Sequence, residues 1–535
     1  MLSRRDLLRA GAVLVLFPAQ AAAQRPPHRP IRRFGAAQFP QGVLSGDPTI
    51  DGITLLTFLG GVQGFGTARL EVAEDPGFRR VIATRDIPTG PATGFSLKAR
   101  VTGLRPRTRY WYRFETRHSH SPVGRFQTAL PADSNETVRF ACFSCAEFTH
   151  GYYNAYDAMA REDLDFAVCL GDYIYAECSR SVATGFAVRD DLTGSSVDPR
   201  PGVLREAVTL DDYRAKYALY RSDPALRRMH AAFPTVAIWD DHELENNYAG
   251  RPLDGGLGPA MEYSQARKAA SYKAFFEAMP VMPRGQSRIY RGARHGRAVD
   301  LVVLDERQYR VDQPCGDKRK QACASWGQRR AFLGRRQLDF LADRVTGSTA
   351  TWKVIGTQSM SMPILFSDGR YARFDAWQGY PVEREELLSR IHNSRTKDVV
   401  FMAGDAHAFW AGDVRRQMGA GESVAVEFVS GSITSKGMGE GHVDLGEGNV
   451  FDGNDDAPSG SPALVSALRH YNPWLVAGDV DHHGYVSVTA TPRSFGVRMR
   501  RMATIKQPSR IVLPSDGLEW TLQRGETSLG GAALT

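Results

Sequence analysis

The stretch Asp165-Phe-Ala-Val-Cys-Leu-Gly-Asp-Tyr-Ile-Tyr-Ala-Glu177 decides how this chain is read. Residues 166–170 form a short apolar run of the kind that makes a strand buried on both faces. Gly171 ends the run, and Asp172, Tyr173 and Tyr175 follow at once. In open α/β sheets, ligands bind beyond the carboxyl ends of the strands. An acid and a phenol three residues apart therefore arrive where chemistry is expected, although alone they also describe an ordinary loop.

Three further apolar runs end in the same way. The run at 138–142 leads past Cys142 to Cys145 and Glu147, and the run at 235–238 leads to Trp239-Asp240-Asp241-His242-Glu243. The run at 399–403 leads to Gly404-Asp405-Ala406-His407. A single aspartate after a strand is commonly a helix cap or an ion-pair partner. Four such endings on one sheet edge would repel one another unless cations compensate them. Carboxylates favour hard cations, whereas thiolate, phenolate and imidazole point to a transition metal, so the mixed set implies more than one kind of ion. Cys169 lies within its strand and reads as a packed, inert thiol.

At 535 residues the chain exceeds the roughly 250–300 at which single cores stop growing, so at least two domains are expected. The net charge of +8 is spread over 67 Lys and Arg without a dense basic tract, which argues against specific nucleic-acid binding and allows only a tilt toward anionic substrates. Ser3-Arg4-Arg5-Asp6-Leu7-Leu8 precedes an apolar run at 10–19 and the small residues Ala21, Ala22 and Ala23. This reads as a twin-arginine signal peptide at 1–23, making the translocation machinery a partner and the periplasm or exterior the destination. The run is shorter than the roughly 20 residues needed to span a bilayer, so no stable membrane anchor is expected. Among the six cysteines, Cys315 and Cys323 bracket a short polar loop and are expected to close it with a disulfide.

Residues 24–39 read as a linker, and regularly spaced short strands from 54 to 128 read as a small β-sandwich at 40–130. There Tyr110, Tyr112 and Phe114 alternate as core residues and resemble the penultimate strand of fibronectin type III domains. From 137 to 525 strands alternate with helical stretches, expected at 152–161, 210–231 (interrupted by Pro224), 263–278 and 328–345. This is a layered α/β architecture with a mixed sheet or two packed sheets. The Gly/Asp-rich loop at 437–460 is long enough to suggest function or disorder.

Gly171-Asp172-x-x-Tyr175, Trp239-Asp-Asp-His-Glu243 and Gly404-Asp405-x-His407 resemble the motifs of PhoD-like alkaline phosphatases, distant relatives of purple acid phosphatases. Phe143-Ser-Cys145, Leu304-Asp-x-Arg307-Gln-Tyr309-Arg310, Ile355-Gly-Thr-Gln358 and Phe428-Val-Ser-Gly-Ser432 extend the resemblance over essentially the whole mature chain. The resemblance implies a four-layer αββα metallophosphoesterase domain after a fibronectin-like one, with iron(III) and calcium in the site. It implies Cys145, Asp172, Tyr175 and His407 as iron ligands, with Asp172 bridging to a second ion. Asp241 and Asp405 stand where purple acid phosphatases carry asparagine and histidine, which turns the second site toward calcium, with Asp240, Asn246 and Asn247 as further candidates.

The activity implied by the resemblance is that of an alkaline phosphatase and phosphodiesterase, which cleaves phosphate mono- and diesters with a metal-bound hydroxide. His242 would bond the phosphoryl or leaving-group oxygen, as the corresponding histidine does in the related phosphatases. Arg307 and Arg310 either fork onto phosphate oxygens or pair with Asp305 or Asp312. A monomer is expected. The competing readings are a phospholipase D-like phosphodiesterase acting on phospholipid headgroups and a non-catalytic surface binding protein.

Overall fold

The computed structural model describes residues 32–178, 182, 187–195, 205–249, 264–285, 287–317, 322–440 and 461–530. The signal peptide read at 1–23 lies outside them, as do the first half of the linker and most of the 437–460 loop.

Two mixed sheets pack face to face. The first has nine strands in the order Glu519–Gln523, Ser494–Arg501, Gly484–Ala490, Val138–Phe143, Phe166–Cys169, Thr235–Ala237, Val43–Thr49, Gly52–Phe58 and Ser96–Thr102. The second has seven, in the order Arg291–His295, Val299–Val303, Trp352–Gly356, Val399–Ala403, Ser423–Val429, Phe409–Arg415 and Leu475–Asp479. Strand alternation divides the second sheet's apolar residues between two cores. Leu301, Val303, Val354, Val400 and Met402 face the first sheet, beside Phe140 and Val168. Val302, Leu304, Ile355 and Phe401 face outward onto Leu338, Leu341, Leu387 and Ile391.

Those last four belong to the helices Arg335–Gly347 and Pro381–Asn393, which form one outer layer. The opposite layer is made by Leu210–Tyr220, Pro224–Ala232 and Gln265–Ala278 on the first sheet. The order of layers is therefore helices, sheet, sheet, helices, as the resemblance implied. The break expected at Pro224 divides two helices: Thr209 and Asp212 make a capping box for the first, and Asp223 caps the second with Pro224 in its first turn. The helix expected from 328 begins only at Arg335.

At the amino terminus, a four-stranded sheet of Val81–Thr89, Gly66–Ala73, Arg109–Glu115 and Gly124–Gln127 packs on the last three strands of the large sheet. Tyr110, Tyr112 and Phe114 fill that core, and the Tyr110 hydroxyl accepts the Arg105 N–H at 3.0 Å. The sandwich shares a sheet with the rest of the chain through Val43–Thr49, which pairs in parallel with Thr235–Ala237 at Gly46 and Thr235. A Cβ on Gly46 would sit 2.5 Å from the Thr235 carbonyl oxygen, so this close approach requires glycine. Sequence reading misses the strand because Gly46-Asp47-Pro48 carries turn residues. Cys315 and Cys323 are disulfide-bonded, as their spacing suggested.

Candidate metal centre

The strands Val138–Phe143, Phe166–Cys169 and Thr235–Ala237 are parallel neighbours in the first sheet, and Val399–Ala403 lies in the second. Their carboxyl ends deliver one connected set of donors. Cys145, Asp172 and His407 offer atoms within 4.8 Å of one another, as do Asp172, Asp241 and His242, and Asp240, Asp241 and Asp405. Asp172 is common to the first two groups and Asp241 to the last two.

The turns that aim these donors are conformationally costly. Cys145, Asp172, Asp405 and His407 all have positive φ, at 58°, 51°, 63° and 50°. Left-handed backbone at non-glycine residues clusters where the surroundings over-determine it for function. The glycine before Asp172 permits the crowding, since a Cβ on Gly171 would meet the Asp240 Cβ at 2.4 Å.

Around the first group, Asp172 Oδ2 lies 3.4 Å from both the Cys145 Sγ and the Tyr175 hydroxyl. The Tyr175 oxygen is 3.2 Å from His407 Nε2 and accepts from Ser435 Oγ at 2.6 Å. His407 Nδ1 faces the Lys436 carbonyl at 3.0 Å, which fixes the ring so that Nε2 presents its lone pair to the cluster. Asp172 Oδ1 points elsewhere and accepts the His242 backbone N–H at 3.3 Å. The ring of His242 stacks on Tyr175 at 4.0 Å between centroids, and its Nδ1 pairs with Glu177.

Around the third group, Asp241 Oδ2 accepts the Asn247 N–H at 2.7 Å, and Arg307 Nη2 lies 3.2 Å from Asp241 Oδ1. Arg307 also pairs with Asp240, and Arg373 with Asp405. Even so, Asp241 Oδ1 and Asp405 Oδ2 are buried and accept no well-directed hydrogen bond.

Electrostatics make the same case for cations. Burial pushes the Asp172 and Asp240 carboxyls well above the usual range, with the Asp241 charge adding to both. Asp241 alone is held low, against burial, by the Arg307 and His242 charges. Burial, then the Asp172 charge, likewise raises the Cys145 thiol and the Tyr175 phenol. The set cannot ionise together on its own, and bound cations would reverse that balance. Thiol, phenol and imidazole at one end suit a transition metal, and carboxylates at the other suit a hard cation, so the residues fit the ions implied.

One expectation is revised. Arg307 and Arg310 are fully buried and neither reach an opening nor pair through their side chains with Asp305 or Asp312. Arg307 binds Asp240, Asp241 and Asp375, and Arg310 binds Asp375. Asp375, from the segment before Pro381, draws both guanidiniums inward. Asn247, a further candidate ligand, donates its backbone N–H to Asp241 Oδ2 beside the cluster.

Several supporting residues escaped sequence reading. Glu243 stands in a quoted motif, yet its task is visible only in space: it accepts the N–H groups of Asp172, Tyr173 and Asp240. Gln358 ties the two sheets by donating its side-chain N–H groups to the Trp239 and Leu304 carbonyls at 2.7 and 3.1 Å, while its backbone carbonyl accepts the Gly404 N–H at 2.8 Å. Asp375, Arg373 and Ser435 had no local signal.

A family model described as PhoD-like phosphatase matches residues 140–499, and one described as PhoD-like phosphatase, N-terminal domain, matches residues 21–130. The chain is 33% identical over 522 residues to alkaline phosphatase D of Bacillus subtilis (strain 168), spanning 94% of this chain and 84% of that protein. A solved structure of PhoD aligns with a TM-score of 0.80 at 32% identity over 92% of this chain and 91% of the other. A purple acid phosphatase from yellow lupin (Lupinus luteus) seeds aligns with a TM-score of 0.53 at 12% identity over 90% and 74% of the two chains, a likeness of fold alone.

Proposed function

The chain belongs to the PhoD-like phosphatase family, and on that premise we propose that it is an exported alkaline phosphatase and phosphodiesterase working at an iron(III) and calcium centre. The observation that carries this reading is the division of Asp172. Its Oδ2 faces the sulfur and phenol donors and its Oδ1 faces the His242 side, as a carboxylate shared between two ions requires. Cys145, Asp172 and His407, with Tyr175 beside them, would hold the iron, and Asp172 with Asp240, Asp241 and Asp405 would hold calcium. Cations in these positions supply Lewis acidity, acidifying water and offsetting charge on phosphoryl oxygens.

The remaining work falls to the chain. His242 is partly exposed, with its Nδ1 engaged by Glu177, so Nε2 is the atom left to donate to a phosphoryl or leaving-group oxygen. Arg373 has a side chain 18% exposed against 0% for Arg307, which makes it the guanidinium within reach of an incoming phosphate ester. Arg307 instead neutralises Asp240 and Asp241 from behind.

Residues 1–23 supply the export signal of this reading, and Arg4→Lys with Arg5→Lys should abolish periplasmic activity while cytoplasmic protein persists. The decisive experiment is metal analysis and an absorption spectrum of the purified enzyme, with turnover of bis-p-nitrophenyl phosphate compared with phosphatidylcholine. Iron, calcium, colour and preference for the synthetic diester support the proposal; absence of iron defeats it, and preference for the lipid moves the substrate to phospholipid headgroups.

A further inference from the structure

A second cluster of reactive side chains lies outside the metal centre. Cys178 sits on the two-residue strand Glu177–Cys178, paired with Arg205–Glu206, and is buried and outside the disulfide. Lys216, from the helix Leu210–Tyr220, brings its Nζ to 3.1 Å from the Cys178 Sγ and 2.6 Å from Asp191 Oδ2. The side chains of Lys216 and Asp191 have no exposure at all, and the Cys178 thiol is directed at the Thr193 carbonyl at 3.0 Å. A buried lysine needs a counter-charge, and Asp191 provides it. That need does not account for a nucleophilic sulfur as the second neighbour of the same nitrogen.

We propose that Cys178 and Lys216 are a modification site, joined through a single oxygen as an N–O–S bridge when the protein meets hydrogen peroxide. In the balanced reaction, one thiol, one lysine ammonium and two molecules of hydrogen peroxide give the Cys–S–O–NH–Lys link, three waters and one proton. Sulfur and nitrogen each lose two electrons, and the four electrons reduce the two peroxides. The thiol is first oxidised at sulfur, the entry step to all cysteine oxidation. The second peroxide then takes two electrons as the lysine nitrogen bonds to the sulfenic oxygen, giving two waters, and Asp191, already on Nζ, receives the released proton. With sulfur and nitrogen held 3.1 Å apart, one bridging oxygen closes the gap with little movement of either element.

The link joins positions 38 residues apart, so it constrains the unfolded chain and stabilises the oxidised form. It also fixes the strand that carries Glu177, the partner of His242.

The test treats the purified, metal-loaded protein with hydrogen peroxide, then unfolds and digests it without reductant for mass spectrometry. The expected product is the peptide holding Cys178 joined to the one holding Lys216, with one oxygen more and two hydrogens fewer than their sum. Dithiothreitol separates the two, and the melting temperature, raised by a few degrees on oxidation, returns to its starting value. Cys178→Ser gives no joined peptide and no shift. The proposal is overturned if Cys178 is recovered free or as sulfinic or sulfonic acid with Lys216 unlinked, or if the link lacks the oxygen. It is equally overturned if protein unfolded before peroxide treatment links as well as the native form.

Discussion

Glu243 and Asp172 meet carboxylate to backbone: Glu243 Oε2 accepts the Asp172 N–H at 3.1 Å, and the same oxygen accepts the Asp240 N–H at 2.8 Å. One side chain thus holds two strand-end turns together, and its other oxygen takes the Tyr173 N–H at 2.7 Å. Glu243→Ala leaves three buried N–H groups unmet, each costing about 1–3 kcal/mol. The variant should unfold at a clearly lower urea concentration and bind both kinds of ion less well. Glu243→Gln keeps an acceptor and should lose less on both counts; urea titration with metal analysis checks the order.

Asp172 and Tyr175 should be separable by spectroscopy. Asp172→Ala removes the shared carboxylate, so diester hydrolysis should fall by more than the roughly 10–100-fold typical of losing a supporting partner. Tyr175→Phe should remove the visible absorption of an iron phenolate while leaving a folded protein, since Ser435 Oγ still accepts the Glu147 N–H and His407 Nδ1 still faces the Lys436 carbonyl. A coloured Tyr175→Phe enzyme would remove the phenolate assignment, and an active Asp172→Ala enzyme would remove the shared ligand.

Much of the candidate centre was legible because its donors follow apolar strands closely, so each lies within a few residues of the end of an apolar run. Cys145, Asp172, Asp240, Asp241, Asp405 and His407 are all of that kind, and the structure gathers them. Residues that act across distance leave no such pattern. Asp375 meets Arg307 and Arg310 from 68 and 65 positions away, and nothing in its own neighbourhood marks it. The strand Val43–Thr49 is hidden by turn-forming residues that serve a close sheet contact. The helix Pro381–Asn393, absent from the expected helical stretches, does carry local signals: a proline in the first turn, and Leu387, Leu388 and Ile391 on one face.

The two arginines beside the carboxylates should fail differently. Arg307→Met strands Asp240 and Asp241 as buried acids without their guanidinium, while Asp375 keeps Arg310, a loss of about 3–5 kcal/mol for a broken buried pair. The expected signature is lower stability and weaker calcium retention, with little separate change in KM. Arg373→Ala removes the partly exposed guanidinium proposed to meet a phosphate ester, and a lost charge-assisted contact of about 1.5–3 kcal/mol raises KM tenfold or more, with a smaller loss of stability from unpairing Asp405. Steady-state kinetics beside thermal melts on both variants distinguish the roles, and a KM effect confined to Arg307→Met would exchange them.

Lys98 links stability to pH at the seam between the sandwich and the helical layer. Its Nζ donates to the Phe276 carbonyl and, at 3.2 Å, to the Val281 carbonyl, beside the helix Gln265–Ala278. Burial, helped by the Arg221 charge, lowers its pKa to about 7 from the ordinary 10.5. Between those two values the unfolded chain holds a proton that the folded chain has released, so folding stability rises with pH across the window. The contribution is complete above the unfolded value and is lost as pH falls through about 7. Lys98→Met should flatten this rise: denaturant midpoints measured at pH 7, 8, 9 and 10 should climb less in the variant than in the native protein. Parallel slopes for the two would mean that the ammonium stays charged at the seam, balanced by Glu277 and Asp47, whose charges oppose the shift.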